Sequence, residues 1–161
     1  ITTALSVDNI LDTIDDMFVD QSEHRVTPTG RILYVTPTVA KLIRNARAID
    51  RQISISNFGG RVTRDVNAID NVIIEEVPSE LMQTAYDFSE GWKKGVSAKQ
   101  INMLLVDPNA VITPVSYSAA RLDPPSAGSK NKWVYFEESY EDVFILNQKV
   151  HGLKFHCETG A

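Results

Sequence analysis

The segment RILYVTPTVAKLIRNA, residues 31–46, decides the fold class because it turns a strand directly into a helix. Arg31 to Val35 is an apolar run rich in strand-forming residues, which predicts a strand. Thr36 and Pro37 then predict a helix start, since threonine can cap free amides and proline at the first helical position loses no hydrogen bond. The apolar residues that follow have helical spacing and predict a buried stripe: Val39, Leu42, Ile43 and Ala46.

The sequence on either side adds another helix and more strands. Upstream, the apolar residues of Val7 to Phe18 recur at helical spacing, and Ser6 is the expected N-cap. Downstream, the β-branched run Val72–Ile74 predicts a strand, and the continuous apolar run Ile101–Val106 predicts a strand buried on both faces. Two or three helices and about seven short strands alternate without a strict βαβ rhythm or a repeat, which predicts a single α+β domain.

Length and composition exclude several classes of protein. A chain of 161 residues has the length of one domain, and it buries roughly 70 per cent of its unfolded surface on folding. The lone Cys157 excludes an internal disulfide and a multi-cysteine zinc site. A formal net charge of −5 gives no global attraction for nucleic acid or anionic lipid. No apolar run reaches the roughly 18 residues that span a bilayer, so no membrane partner is predicted.

The sequence contains no recognisable catalytic motif. A nucleophile elbow, a Walker loop, a dinucleotide glycine fingerprint and a paired-histidine zinc helix are all absent. His151 and His156 lie five residues apart in a predicted strand, so they should face opposite sides at the surface and share no metal. The acid pairs Glu75–Glu76 and Glu137–Glu138 should likewise point to opposite faces. No catalytic, metal or cofactor-binding residue is predicted, and no enzyme activity is expected.

Two charged stripes stand out as candidate subunit interfaces. An acidic stripe with a spacing of four follows the first helix and is widened by Asp15: it consists of Asp8, Asp12, Asp16 and Asp20. A basic stripe follows the second helix: it consists of Lys41, Arg44, Arg47 and Arg51. Like charges at that spacing oppose an isolated helix, which favours a basic partner for the acidic stripe. The alternatives are two solvated faces, two stripes that meet across a subunit boundary, and a weak contact of the basic stripe with packaged nucleic acid.

The segment Ser89–Gly95 has loop composition and is a third candidate interface. Two glycines bracket Trp92, Lys93 and Lys94. An exposed tryptophan between glycines is typical of a contact with another subunit. The alternative is that Trp92 folds back onto its own domain.

Four segments in a fixed order resemble the major capsid proteins of tailed bacteriophages. They are RILYVTP (31–37), NAIDNVIIEEVPS (67–79), INMLLVDPNAV (101–111) and YEDVFILNQKVHGL (140–153). The order and spacing of the segments carry this resemblance, which covers nearly the whole chain.

The resemblance implies the Hong Kong 97-type capsid fold, in which a mixed sheet flanked by helices forms an axial domain. Residues 1–30 are then the spine helix of a peripheral domain, and residues 31–130 are mainly axial domain. Residues 131–161 supply closing strands that return to the peripheral domain. An N-terminal arm and an extended loop are expected upstream of residue 1.

The resemblance also implies a function. The chain would be a structural subunit of an icosahedral phage or prophage shell, located in the virion capsid and made in the bacterial host cytoplasm. Its expected partners are copies of itself in hexamers and pentamers, scaffolding and portal proteins, and packaged DNA by weak non-specific contact. The alternatives are an encapsulin-type nanocompartment shell subunit and a phage head-completion ring module, with a small enzyme as the least favoured.

Overall fold

The computed structural model describes residues 4–46, 54–55, 62–63, 68–69, 72–89 and 91–157. The chain divides into two compact units. The first comprises Ile1–Ala110 and Lys149–Ala161 and is called the sheet body below. The second comprises Val111–Gln148 and is called the hairpin unit. The assignment of chain segments to axial and peripheral domains stays a prediction.

The described residues form two α-helices, α1 (Ile10–Glu23) and α2 (Pro37–Asn45). They also form 3-10 helices at Ser79–Leu81, Pro108–Ala110 and Asn147–Gly152. The strands in chain order are β1 (Ile32–Val35), β2 (Ser54–Ile55), β3 (Val62–Thr63), β4 (Ala68–Ile69), β5 (Val72–Glu76), β6 (Tyr86–Asp87), β7 (Lys93–Lys94), β8 (Ile101–Val106), β9 (Val111–Ile112), β10 (Val115–Asp123), β11 (Val134–Glu141), β12 (Phe144–Ile145) and β13 (Leu153–Cys157). The protein is therefore α+β and mostly sheet, which confirms the predicted class.

A five-stranded sheet with the order β13-β8-β1-β5-β4 forms the centre of the sheet body. Strands β1 and β5 are parallel, with Ile32 opposite Ile73, and the other neighbours are antiparallel. Parallel neighbours require a crossover connection, and α2 lies in the segment that joins β1 to β5. The segment 31–46 thus supplies strand β1 and the helix of this crossover.

Helices α1 and α2 contribute to one apolar core with one face of the sheet. Leu33 and Val35 of β1 are fully buried, whereas Ile32 and Tyr34 on the opposite face are half-buried. Burial of one large apolar side chain contributes about 1.5 to 3 kcal/mol. The core consists of Ile10, Ile14, Met17, Leu33, Val35, Val39, Ala40, Ile43, Ala46, Val72, Met103 and Leu105.

The other face of the sheet is only partly covered. In β8, Met103 and Leu105 are buried, whereas Leu104 and Val106 are half-buried. The expectation that Ile101–Val106 is buried on both faces is therefore wrong. The reason is its antiparallel pairing with β1 and β13, since an antiparallel sheet can bury one face and leave the other accessible.

Helix α1 begins later and ends later than its apolar pattern predicts. Asn9, not Ser6, is the N-cap. The backbone N–H of Ser6 donates to Asn9 Oδ1 at 2.7 Å, and Asn9 Nδ2 donates to the carbonyl of Ala4 at 2.9 Å, so this side chain closes a turn before the helix.

At the C-terminal end of α1, the buried Gln21 donates from Nε2 to the carbonyl of Gly152 at 2.9 Å. That contact fixes the last turn of α1 to the segment before β13.

A buried arginine holds the connection between α1 and β1. The guanidinium of Arg31 donates to the carbonyls of Val26 at 2.8 Å and Thr27 at 2.9 Å, and to Ser22 Oγ at 3.2 Å. It also reaches the carbonyl of Phe18 at 3.3 Å, near the end of the helix. Burial lowers the pKa of Arg31. The charge is accommodated because several carbonyl oxygens replace its water shell.

Candidate assembly surfaces

The hairpin unit is a long two-stranded antiparallel ribbon. Asp123 pairs with Val134 next to the connecting loop, and Tyr117 pairs with Tyr140 near the other end. Beyond a register shift between Val115 and Tyr117, the short strands β9 and β12 continue the ribbon. We call residues 124–133 its tip and the end that contains β9 and β12 its foot. The sequence from Leu122 to Asn131 is rich in Pro, Ser, Gly and Asn, which predicts a loop, and the tip corresponds to it although β10 runs on to Asp123.

Both faces of the ribbon carry apolar side chains. Residues directly opposite each other in an antiparallel pair share a face, so the register places Tyr117, Tyr140 and Phe136 on one face. The rings of Tyr117 and Tyr140 lie 5.7 Å apart. Leu122 and its partner Tyr135 lie on the other face. Neither face is covered, because no residue of Val111–Gln148 is buried in this chain.

Short-range polar contacts order the side chains within each face. Arg121 donates to both carboxylate oxygens of Asp123, at 2.6 and 2.7 Å, and this lowers the pKa of Asp123. The hydroxyl of Tyr135 donates to Glu137 at 2.8 Å, and the same hydrogen bond raises the pKa of Tyr135. The hydroxyl of Tyr140 donates to Glu138 in the same way on the opposite face. These contacts hold the aromatic rings in place without removing them from solvent.

An isolated ribbon of this kind lacks the burial that stabilises a fold. A two-stranded hairpin is marginally stable in water, and exposed strand edges can pair with another chain. The exposed large apolar residues of the hairpin unit form an extensive surface of the kind that marks an interaction site. They are Ile112, Val115, Tyr117, Leu122, Trp133, Val134, Tyr135, Phe136, Tyr140, Val143, Phe144 and Ile145.

No prediction from the sequence identified this surface, although the sequence contains a signal for it. The composition of Val111 to Tyr117 and of Trp133 to Leu146 predicts extended structure but no binding role. In the run WVYF, residues 133–136, apolar residues occupy both the odd and the even positions. A strand with one buried face alternates apolar and polar residues, so this run indicates apolar side chains on both faces of the strand. The prediction that Glu137 and Glu138 point to opposite faces agrees with the register of β11.

The acidic stripe lies on the exposed side of α1 and at its two ends. Asp8 precedes the helix, while Asp12 and Asp16 are exposed on it. Asp20 forms an ion pair with Lys154 of β13, and this contact lowers the pKa of Asp20. Part of the stripe lines an open cleft of about 480 Å³ between α1 and β13, whose walls are Asp16, Met17, Val19, Asp20, Glu23, Lys154 and Phe155.

The basic stripe also has a partner in its own chain. Arg44 donates to Glu76 of β5 at 2.9 Å, and Lys41 is exposed on the same helix. The remaining members, Arg47 and Arg51, lie outside the described residues. Since Asp20 and Arg44 already pair within the chain, the hypothesis that the stripes meet across a subunit boundary rests on Asp12, Asp16 and Lys41.

The segment around Trp92 forms the small hairpin of β6 and β7. Trp92 stacks on Tyr86 at a centroid distance of 5.1 Å, yet 45 per cent of its surface remains exposed. Lys93 and Lys94 form β7 and are exposed beside it. The ring therefore packs against Tyr86 of its own hairpin and keeps part of its surface accessible, and a contact with another subunit stays a prediction.

Two of the three histidines stack on each other, and the third is buried. His151 lies in a 3-10 helix and stacks on His24 at a centroid distance of 3.8 Å. His156 is only 1 per cent exposed, so the expectation that it lies at the surface is wrong. Its position in β13 turns it towards the buried side of the sheet, beside the buried Cys157. Among the described residues, no cluster of histidine, cysteine or acidic side chains could hold a metal ion.

No family model matches the sequence, no curated protein matches it, and no solved structure matches it. In the part of the chain that the structure describes, none of the helices has the length and apolar character needed to cross a membrane.

Proposed function

We propose that this chain is a structural subunit that assembles with copies of itself, and that the assembly is the shell of a phage or prophage capsid. The observation that carries the proposal is the hairpin unit, in which no residue is buried and both faces are apolar. A ribbon of this kind needs a partner to remove its surface from water.

The division of the molecule suits a shell subunit. A closed shell needs a rigid body that repeats by symmetry, together with surfaces that bury complementary edges of neighbours. The sheet body supplies the rigid part, because its apolar core is packed between two helices and one face of the sheet. The hairpin unit supplies a surface that is open in the single chain.

The order of elements supports the Hong Kong 97-type fold as the specific form of this proposal. A helix, α1, precedes a mixed sheet whose crossover contains α2, and the chain returns to the sheet as β13. In this proposal α1 belongs to the spine helix and the mixed sheet belongs to the axial domain. The virion location, hexamers and pentamers, and contacts with scaffolding protein, portal protein and packaged DNA follow from the same proposal.

A pair of leucines with nearly equal exposure tests the role of the hairpin unit. Leu122 lies on β10 and is 59 per cent exposed, whereas Leu81 lies in the sheet body and is 57 per cent exposed. We expect Leu122→Ser to weaken self-association at least about tenfold, since burial of a leucine side chain contributes about 1.5 to 3 kcal/mol. Leu81→Ser is the matched control and should leave self-association unchanged.

The measurement is sedimentation of the purified chain over a range of concentrations, followed by electron microscopy of the associated fraction. Closed shells or capsomers would support the proposal. Rings that never close into shells would favour a head-completion module instead. A chain that remains monomeric at every concentration would contradict the proposal, and so would equal effects of Leu122→Ser and Leu81→Ser.

A further inference from the structure

The tip of the hairpin unit, residues 124–133, presents two lysines and a tryptophan to solvent. Lys130 and Lys132 are exposed, Trp133 is 63 per cent exposed, and the tip contains no acidic residue. The loop is ordered by its own hydrogen bonds, among them one from the hydroxyl of Ser129 to the carbonyl of Lys132 at 2.7 Å. A loop that is already ordered loses less conformational entropy when it binds. The tip is therefore a preformed surface that is basic and partly apolar.

The cleft between α1 and β13 has the complementary character. Val19 and Phe155 line it and are 59 and 51 per cent exposed, so its walls are apolar and accessible. Asp16 and Glu23 also line it, and in the described part of the chain neither carboxylate forms an ion pair. The volume of about 480 Å³ lies in the range of roughly 300 to 1,000 Å³ found for clefts that bind small molecules. The cleft can therefore accept large side chains of another molecule.

The same cleft lies beside an open edge of the central sheet. Strand β13 is the last strand in the order β13-β8-β1-β5-β4, and among the described strands it pairs only with β8. An open strand edge beside an accessible apolar surface is a place where another polypeptide chain can pack. The position of the cleft in the sheet thus favours a segment of protein as its occupant.

We infer that the tip of one copy binds in the cleft of a second copy. In this contact the two lysines of the tip meet the carboxylates of Asp16 and Glu23. Trp133 covers the exposed side chains of Val19 and Phe155. The inference rests on the proposed function and specifies one of its contacts.

The charges of the two surfaces match in number and in sign. The cleft keeps the negative charges of Asp16 and Glu23, because Lys154 offsets the charge of Asp20. The tip supplies the positive charges of its two lysines, and complementary potentials orient the partners of an interface. Since the tip and the cleft are different surfaces of the chain, the contact is heterologous and repeats from copy to copy. Such a contact can link the subunits of a ring or capsomer, as the proposed function requires.

Charge reversal on either surface tests the inference. Lys132→Glu brings a third carboxylate to the contact, and Asp16→Lys brings a third amine. We expect each variant alone to weaken self-association at least about tenfold, since like charges that meet in an interface oppose binding. An equimolar mixture of the two variants should associate again, because the unchanged tip of the Asp16→Lys chain fits the unchanged cleft of the Lys132→Glu chain. Recovery in the mixture also shows that both variants are folded.

Sedimentation of the whole chain over a range of concentrations measures these dissociation constants. The charge-matched controls are Lys99→Glu and Glu80→Lys, which alter exposed residues of the sheet body and should associate like the wild type. Normal association of both variants, or a mixture that does not recover, would overturn the contact. A loss for Asp16→Lys with none for Lys132→Glu would also overturn it, since the cleft would then bind a surface other than the tip.

The wild-type chain separates this contact from the proposed function. If the contact is overturned while the wild type still self-associates, the proposed function stands, because the association then uses other surfaces of the chain. A wild type that is monomeric at every concentration overturns the proposed function and this contact together.

Discussion

The sheet body of this chain buries a core of residues, whereas the hairpin unit buries none of its residues. Every buried residue that the structure describes belongs to the sheet body, including the fully buried Leu33 and Leu105. The hairpin unit contains residues of similar apolar character, such as Leu122 and Phe136, and leaves them exposed. Strand propensity alone therefore does not produce a core, because a core also needs a second layer to pack against.

This contrast separates the substitutions that affect folding from those that affect assembly. In the sheet body a side chain acts on the free energy of unfolding of the single chain. In the hairpin unit it acts on the interface, if the chain assembles as proposed. The same substitution made in both units separates these roles.

The largest effect is expected from a leucine in the core. Leu33→Ala removes a side chain that is 0 per cent exposed, and we expect it to lower the free energy of unfolding by about 2 to 5 kcal/mol. Leu122→Ala in the hairpin unit should change it by less than about 0.5 kcal/mol at concentrations where the chain is monomeric. Urea unfolding followed by circular dichroism measures both. A large loss for Leu122→Ala would mean that the hairpin unit has packing of its own.

A pair of arginines gives the next largest difference. Arg31→Met removes hydrogen bonds to the carbonyls of Val26 and Thr27 from a buried site. We expect a loss of about 1.5 to 3 kcal/mol, because hydrogen bonds of a charged donor are lost and the carbonyls need new partners. Arg121→Met removes the exposed ion pair with Asp123 and should leave the unfolding midpoint unchanged. Equal midpoints for the two variants would show that Arg31 does not hold the connection between α1 and β1.

A pair of glycines tests how closely the sheet body is packed. In Gly152→Ala the new Cβ would lie 2.6 Å from Ala110 Cβ and 3.4 Å from Asp107 Cβ. We expect a loss of about 1 to 3 kcal/mol from this overpacking. Gly128→Ala at the tip of the hairpin unit meets only Ser126 Oγ, at 3.8 Å, and should be neutral. Thermal unfolding measures both variants, and a neutral Gly152→Ala would indicate that the 3-10 helix shifts without loss.

The sequence predicts the crossover of the sheet body well because two local signals agree there. Of the predicted strand Arg31–Val35, Ile32–Val35 form β1, and the helix begins at Pro37 as expected, although Thr36 at the N-cap makes no side-chain capping hydrogen bond. Val72–Ile74 and Ile101–Val106 are likewise found within strands. These segments are local in the chain, so their own residues determine them.

Other features depend on contacts that the local sequence does not specify. The accessible face of β8 follows from its neighbours in the sheet, and a continuous apolar run does not reveal which face remains open. The N-cap of α1 is Asn9 and not the predicted Ser6, because the Asn9 side chain closes a turn with Ser6 and Ala4. The ion pair of Asp20 with Lys154 joins residues far apart in the chain. The charges of the acidic stripe are therefore predictable from the sequence, whereas the partner of Asp20 is not.

The smallest effect is expected from the ion pair between Asp20 and Lys154, and the size of this effect depends on pH. Lys154 donates a hydrogen bond to Asp20, which holds the pKa of Asp20 below its ordinary value of 3.8, and the charges of Lys154, His24 and His151 act in the same direction. Between the two pKa values the unfolded chain binds more protons than the folded chain, so stability rises with pH there. The contribution is complete above about pH 5 and is lost as the pH falls through 3.8 towards the folded-state pKa.

Lys154→Met should remove this contribution. Both side chains are partly exposed, at 30 and 39 per cent, so we expect a loss of only about 0.2 to 1 kcal/mol near pH 6. At a pH below the folded-state pKa of Asp20, the variant and the wild type should unfold with the same free energy, because the protonated acid no longer pairs with the amine. Urea unfolding at both pH values measures the difference. A loss that persists unchanged at low pH would show that the amine of Lys154 stabilises the chain by something other than its ion pair with Asp20, since the protonated acid no longer pairs with it.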